Sequence, residues 1–209
     1  ALKELWPEAK VGASVAYSPS YAIDNKPENA MAKADYDDLK NYYWMDVYAY
    51  GRYPRAALAY LEANGVAPVF EEGDNAIMKE AAQLVDFMGV NYYQTTTVEF
   101  NDIDGVGTSH EMNTTGKKGT AKVQGVPGLY KNPQNANLPT TDWDWTIDPM
   151  GIRMCCREIT SRYDLPIVIS ENGLGAFDKL EDGEVHDPYR IAYLKAHIEE
   201  LKKACDDGC

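Results

Sequence analysis

Residues 166–175 read PIVISENGLG, and this stretch decides the fold. Residues 167–170 are mostly β-branched and show no polar alternation, which favours a short parallel strand that is buried on both faces. The strand leads directly into Glu171, Asn172 and Gly173. A carboxylate at the end of a buried strand is costly unless it has a partner, and ligands of α/β folds bind at that end. Glu171 is therefore either an ordinary first loop residue or a functional carboxylate.

Two further segments have the character of parallel strands. Residues 10–17 read KVGASVAY and residues 87–93 read FMGVNYY, and helical segments separate these strands, as in βα units with right-handed crossovers. Side chains alternate along a strand, so Asn91 and Tyr93 point to one face and Tyr92 to the other. The pattern predicts an α/β fold with Asn91 and Tyr93 at the C-terminal end of their strand.

Two helices begin with an Asp-Pro pair, which suits an N-cap followed by the first helical turn. The pairs are Asp148-Pro149 and Asp187-Pro188. In the second helix, apolar residues at helical spacing predict the buried face; they are Ile191, Leu194, Ile198 and Leu201. Residues 100–142 are rich in Gly, Asn, Thr and Pro without a clear period, and we interpret them as a long loop that could cover the mouth of a pocket.

The composition argues against several classes of binding partner. The 209 residues suffice for a single domain. A net charge of −13 argues against nucleic acid and against anionic membrane surfaces. The four Cys form no Cys-x-x-Cys pair and only three His are present, so we expect no metal and no cofactor. We expect reduced thiols and a cytoplasmic location, because no signal peptide or long apolar run is visible.

A family resemblance rests on several collinear motifs. Residues 169–173, ISENG, follow a YDLP lead-in at 163–166 and resemble the nucleophile motif of family 1 glycoside hydrolases, which are (β/α)8 β-glycosidases. Residues 46–54, DVYAYGRYP, resemble another segment of that family.

The resemblance implies a role for each of five residues. Glu171 would be the nucleophile, and Asn91 and Tyr93 would contact its carboxylate and the sugar. Trp145 aligns with a tryptophan on the aglycone side, and Asn172 would bind substrate. The alternatives are a packing role for Trp145 and a buried core position for Tyr93.

Three stretches resemble the 6-phospho-β-glucosidase branch more than plain β-glucosidases. They are IDPMGIR at 147–153, ENGLGAFD at 171–178 and VHDPYRI at 185–191. The resemblance implies a small-molecule β-glycoside substrate that carries a 6-phosphate. It does not identify a basic phosphate pocket within this chain.

The number of strands implies an incomplete barrel. A closed barrel of this kind has eight strands and about 250 residues. The three strands here match strands five to seven of the family, and no Asn-Glu dipeptide of the strand-four motif occurs. We therefore expect a partial (β/α)8 TIM barrel in which residues 1–209 form a single domain. Without the acid/base Glu the isolated chain should be inactive, and its exposed barrel edges should favour self-association.

Two other readings remain open. The chain could be a non-catalytic carbohydrate-binding or interaction protein that uses Trp143, Trp145 and its tyrosines. It could also be one part of a split enzyme that a partner chain completes.

Overall fold

A computed structural model of the protein describes residues 2–102, 113 and 115–209. The described α-helices are Leu2–Leu5 (α1), Pro27–Tyr36 (α2), Tyr42–Tyr50 (α3), Arg55–Ala63 (α4), Asp74–Ala82 (α5), Pro149–Tyr163 (α6) and Pro188–Asp206 (α7), with a π-helical turn at Asp37–Asn41. The described strands are Gly12–Ala16 (β1), Ser20–Ala22 (β2), Phe87–Tyr92 (β3), Thr96–Phe100 (β4), Gln124–Val126 (β5), Tyr130–Asn132 (β6), Ile167–Asn172 (β7), Leu180–Glu181 (β8) and Glu184–Val185 (β9). None of these helices is both long enough and apolar enough to cross a bilayer.

The three predicted strands form one parallel sheet in the order β1-β3-β7. Val90 pairs with Ile169, and a register shift then makes Asn91 the partner of Glu171. The α/β fold and the three strands are thereby confirmed. The sheet brings the C-terminal ends of β3 and β7 side by side, which is where the predicted site residues lie.

One face of this sheet forms the main core. Met88, Val90 and Tyr92 of β3 are fully buried, and they pack with residues of α3 and α6. Those helix residues are Met45, Ile152, Cys155 and Ile159. The opposite face carries the smaller polar residues Ser14, Asn91 and Ser170, which are hydrogen-bonded to one another. The predicted alternation of Asn91 and Tyr92 along β3 is confirmed.

The prediction that β7 is buried on both faces is wrong for this structure. Val168 is 46% exposed, and every residue of β7 is half-buried or exposed. Within the described residues, β7 lies at the edge of the sheet, and helices pack on one face only. A β-branched run indicates a strand, but it does not reveal how many of its sides are covered.

A second sheet has the order β2-β4-β6-β5, with β2 and β4 parallel and the remaining pairs antiparallel. Its β5–β6 hairpin falls within residues 100–142, which the sequence pattern predicted to be a loop. Strands of three residues are too short to show a period, which explains the difference. The part of that predicted loop at 103–112 and 114 lies outside the described residues.

The helix starts at Pro149 and Pro188 are confirmed. The predicted buried face of α7 is wrong, because Ile191 and Ile198 are each 64% exposed. Its buried residues are instead Tyr193, His197 and Ala204. This face packs against α6 and the ends of β3 and β7, whereas Ile191 and Ile198 lie on the outer side of the helix.

Candidate active site

Glu171 and Tyr93 meet at the C-terminal edge of the parallel sheet. Tyr93 follows the last residue of β3, and its hydroxyl donates a short hydrogen bond to Oε2 of Glu171 on β7. This bond to the carboxylate, together with partial burial, raises the pKa of Tyr93 above its ordinary value. The phenol therefore remains a proton donor at neutral pH and stabilises the negative charge of the carboxylate.

Asn91, the register partner of Glu171, belongs to a polar triangle across the three strands. Its Oδ1 accepts hydrogen bonds from the hydroxyls of Ser14 at 2.8 Å and Ser170 at 2.7 Å. The two hydroxyl oxygens are themselves 2.8 Å apart. No hydrogen bond joins Asn91 to Glu171 in the described part of the chain. Because Oδ1 faces the two serines, the amide NH2 is the group that Asn91 can offer to a ligand.

Trp145 lies beside Tyr93. Its ring centroid is 5.5 Å from that of Tyr93, with the planes tilted by 57°. Both residues line a cleft of about 690 Å³, to which Asn91 and Trp143 also contribute. A cleft of this size accommodates a small-molecule ligand, and its aromatic walls present flat apolar faces with polar edges.

Asp144 lies between Trp143 and Trp145 in the sequence and anchors the segment around residue 120. Its backbone is left-handed, with a φ of 63°, and its carboxylate accepts hydrogen bonds from the amides of Gly119 at 2.6 Å, Thr120 at 3.0 Å and Ala121 at 2.9 Å. Partial burial opposes ionisation, but these hydrogen bonds outweigh it and lower the pKa of Asp144. The charge therefore persists at neutral pH and ties the segment around residue 120 to the cleft wall.

A second contact fixes Trp143. Its ring lies 4.9 Å from that of Phe177, and a Cβ on Gly175 would come within 2.9 Å of the indole. The loop after β7 therefore packs directly on the tryptophan segment. Neither Asp144 nor Gly175 was identified from the sequence, because their partners lie far away along the chain.

The side-chain amide of Asn172 is hydrogen-bonded to other residues of the protein. Its Nδ2 donates to the carbonyl of Tyr92 at 3.0 Å and to the hydroxyl of Tyr193 at 3.3 Å. Both bonds involve only Nδ2, so the predicted contact of Asn172 with substrate stays a prediction for its Oδ1. Tyr193 was missed by the sequence analysis, which assigned a different face of α7 to the interior.

Other carboxylates on or near these elements have local roles. Asp86 precedes β3, at the far end of the strand from Glu171, and forms an ion pair with Lys3 at 2.7 Å. Glu158 accepts a hydrogen bond from Tyr17 at 2.8 Å on the helical side of the sheet, and burial raises the pKa of Glu158. Within the ranges that the structure describes, no cluster of three His, Cys, Asp or Glu side chains could hold a metal ion.

The full length of the sequence, residues 1–209, matches the pattern of Glycosyl hydrolase family 1. The chain belongs to glycosyl hydrolase family 1.

Among curated relatives, this family 1 chain is 48% identical to the aryl-phospho-β-D-glucosidase BglC of Bacillus subtilis over 206 residues. The match covers 99% of this chain and 43% of BglC. It is also 33% identical to the 6-phospho-β-glucosidase AscB of Escherichia coli, of which it covers 39%. The chain thus spans less than half of the length of these relatives.

Solved structures of the family agree with this placement. A family 1 β-glucosidase from Thermotoga maritima superposes with a TM-score of 0.78 at 27% identity, over 99% of this chain and 41% of that structure. A β-glucosidase from Exiguobacterium marinum gives the same score and identity and is covered to 42%. The chain therefore has the fold of a contiguous portion of these β-glucosidases.

Proposed function

We propose that this chain supplies the nucleophile portion of a retaining β-glycosidase. Its β1, β3 and β7 would be strands five to seven of a (β/α)8 barrel, and residues 1–209 would form one domain of that barrel. The observation that carries the proposal is the hydrogen bond from Tyr93 to Glu171 across adjacent strand ends. A carboxylate must stay ionised to act as a nucleophile, and a phenol donor favours its charged form.

In the proposed reaction, Glu171 attacks the anomeric carbon of a β-glycoside. The bond to the leaving oxygen breaks as a general acid gives that oxygen a proton, and a covalent glycosyl-enzyme forms on Glu171. The general acid has lost its proton in this step, and its conjugate base then takes a proton from a water molecule. The resulting attack at the anomeric carbon releases the sugar and restores the Glu171 carboxylate.

The acid/base carboxyl would lie about 5 Å from Glu171 in a retaining enzyme. Asp86 and Glu158 are unsuitable, since one lies at the opposite end of β3 and the other is held on the helical side of the sheet. We therefore propose that the acid/base residue comes from a segment outside these 209 residues, and that the isolated chain is inactive.

The remaining predicted residues would shape the sugar site. The amide NH2 of Asn91 points away from the Ser14 and Ser170 hydroxyls, so it can donate to a sugar hydroxyl or to the nucleophile during the reaction. Trp145, tilted against Tyr93, would form the aglycone-side wall. We propose that Nδ2 of Asn172 positions the strand ends, which leaves its Oδ1 as the group that could accept a hydrogen bond from the sugar.

We propose a 6-phosphorylated β-glucoside as the substrate. The support is the similarity to BglC and AscB, whose names specify phosphorylated glucosides. Phosphate recognition needs Lys, Arg or clustered N–H donors, and we propose that these lie in segments beyond this chain.

The test uses a hybrid enzyme in which this chain replaces the matching segment of BglC. Its hydrolysis of 4-nitrophenyl β-glucoside is compared with that of the 6-phosphate of the same compound. We expect the phosphorylated substrate to react faster and a Glu171→Gln hybrid to react with neither. Full activity of the Gln variant would contradict the role of Glu171. Because the phosphate donors of the hybrid come from BglC, the phosphate preference is tested by the same comparison in this chain extended by its own flanking segments, where equal rates would contradict it.

The unpaired side of β7 leads to a further expectation. Val168 is 46% exposed, and β7 is an edge strand in the described sheet. Unpaired strand edges promote association, so we propose that the isolated chain self-associates. Light scattering of the purified chain tests this, and a monodisperse monomer at high concentration would argue against it.

A further inference from the structure

The phenol ring of Tyr193 is held rigidly under the ends of β3 and β7. It lies on α7, is only 4% exposed, and stacks on the ring of His197 with centroids 3.8 Å apart and planes 27° from parallel. Nδ1 of His197 in turn lies 2.7 Å from the carbonyl oxygen of Tyr193. The ring therefore has little freedom, and its hydroxyl occupies one defined position.

That hydroxyl joins the two strand ends that carry the proposed site. It donates to the carbonyl of Tyr93 at 2.9 Å and accepts from Nδ2 of Asn172 at 3.3 Å. The same Nδ2 also donates to the carbonyl of Tyr92. One side chain from a helix thus connects the residue that follows β3 with the residue that follows Glu171.

The backbone hydrogen bonds between β3 and β7 do not by themselves fix the position of Tyr93. The register between β3 and β7 shifts between Val90 and Asn91, and the pairing ends at Tyr92 and Asn172. The backbone of Tyr93 therefore lies past the last ladder pair, although its side chain must reach Glu171. The Tyr193 hydroxyl supplies a hydrogen bond where the ladder has stopped.

We propose that Tyr193 is a positioning residue that, together with Asn172, fixes the Tyr93 phenol against the Glu171 carboxylate. This deepens the proposed function and rests on it for its catalytic meaning. The geometric part can be tested without any activity. We call Tyr193 and Asn172 together the clamp. If the clamp holds Tyr93, removing the Tyr193 hydroxyl weakens the hydrogen bond between Tyr93 and Glu171.

The test follows the ionisation of Tyr93 in this chain by NMR with ¹³Cζ-labelled tyrosine. The Tyr93 signal is assigned by its loss in a Tyr93→Phe variant. A Glu171→Gln variant, which removes the anionic acceptor, gives the lower limit of the Tyr93 pKa. We expect Tyr193→Phe, which keeps the stacking on His197, to move the Tyr93 pKa downward, part of the way to that limit.

The matched control is Tyr189→Phe. Tyr189 lies on the same helix, and its hydroxyl donates to Asp178 at 2.6 Å, away from both strand ends. This control should leave the Tyr93 pKa unchanged. An unchanged Tyr93 pKa in a folded Tyr193→Phe chain overturns the proposal. Should that variant not fold, Asn172→Ala is measured in its place with the same two outcomes.

The hybrid enzyme gives the catalytic readout. Misplacing a reacting group slightly can cost up to about a hundredfold in rate, so we expect Tyr193→Phe to lower kcat by about ten- to a hundredfold with little change in KM. Tyr189→Phe should change neither. An unmodified hybrid that hydrolyses no β-glycoside would contradict the proposed function, whereas the NMR result would still decide whether the clamp exists.

Discussion

Tyr93 and Glu171 lie on adjacent parallel strands, and the Tyr93 hydroxyl donates a hydrogen bond to the Glu171 carboxylate. The bond spans 78 residues of sequence. It depends on the parallel pairing of β3 with β7, on the register shift before Asn91, and on the alternation that turns Tyr92 into the core. The sheet thereby holds the Glu171 carboxylate against its hydrogen-bond donor, the Tyr93 hydroxyl, beside the cleft that Tyr93 lines.

Loss of the Tyr93 hydroxyl should impair catalysis without unfolding the protein. A hydrogen bond to a charged group contributes about 1.5–3 kcal/mol. We therefore expect Tyr93→Phe in the hybrid enzyme to lower kcat/KM by roughly ten- to a hundredfold. Steady-state kinetics measures this, with Tyr189→Phe as the control. A Tyr93→Phe hybrid with unaltered kcat/KM would show that the observed bond has no catalytic role.

Loss of the Asp144 carboxylate should release the segment around residue 120. Three backbone amides, those of Gly119, Thr120 and Ala121, would lose their charged acceptor. We expect Asp144→Ala to accelerate tryptic cleavage after the nearby lysines several-fold, since proteolysis requires local opening. Asp142→Asn, at an exposed neighbouring position, is the control. Equal cleavage rates in the two variants would contradict this anchoring role.

His197 should make stability depend on pH. Burial lowers the pKa of His197 from its ordinary value of 6.5, against weaker upward effects of the Tyr193 carbonyl and Asp148. The unfolded chain then binds the proton more readily, so this contribution to stability is complete above about pH 6.5 and is lost as the pH falls through the lowered pKa.

The corresponding measurement compares urea unfolding at about pH 7.5 and about pH 5. His197→Phe keeps an aromatic ring beside Tyr193 but cannot take up a proton. The free energy of unfolding should fall more for the natural chain than for the variant on acidification, because Glu158 and the other carboxylates contribute to both. A parallel fall in the two proteins would mean that His197 is not held neutral by the fold.

Asp46 should be important for stability. It is 3% exposed and accepts two hydrogen bonds from Arg162, at 2.9 and 2.7 Å, and one from Tyr163 at 2.8 Å. This links α3 to α6. The Arg162 side chain is 34% exposed, so water compensates part of its charge when Asp46 is removed. Because hydrogen bonds to a charged group are lost, Asp46→Ala should cost about 2 kcal/mol in the free energy of unfolding.

Chemical denaturation measures that cost. The control is Lys26→Ala, because the Lys26 side chain is 71% exposed and its 3.3 Å pair with Asp24 lies in solvent. Exposed pairs contribute little. Similar losses in the two variants would contradict the structural importance assigned to Asp46.

Those parts of the fold that depend on a local pattern of residues could be predicted from the sequence. β-Branched runs predicted the strands, and a period of two predicted that Asn91 and Tyr92 face opposite sides. The second sheet was missed because three-residue strands carry no period. The buried face of α7 was misassigned because Ile191 and Ile198 are more apolar than Tyr193 and His197. In the structure both aromatic residues are buried beneath the strand ends, where the Tyr193 hydroxyl finds hydrogen-bond partners and His197 stacks on the Tyr193 ring.

The residues of the site also divide into those that the sequence predicted and those that it did not. Glu171, Tyr93, Asn91 and Trp145 follow from motif resemblance; in the structure the last three line one cleft, and Glu171 is hydrogen-bonded to Tyr93. Asp144 and Tyr193 act through partners that are distant in sequence, so their contacts appear only after folding.

The central claim, that Glu171 is the nucleophile, is tested most directly by covalent trapping. The hybrid enzyme is treated with a 2-deoxy-2-fluoro β-glucoside 6-phosphate that carries a good leaving group at C1, and the tryptic peptide spanning residues 163–179 is sequenced by mass spectrometry. We expect one sugar attached to Glu171 and no attachment to the Glu171→Gln variant. An unlabelled protein, as expected of a carbohydrate-binding module, or a sugar on another residue would contradict it.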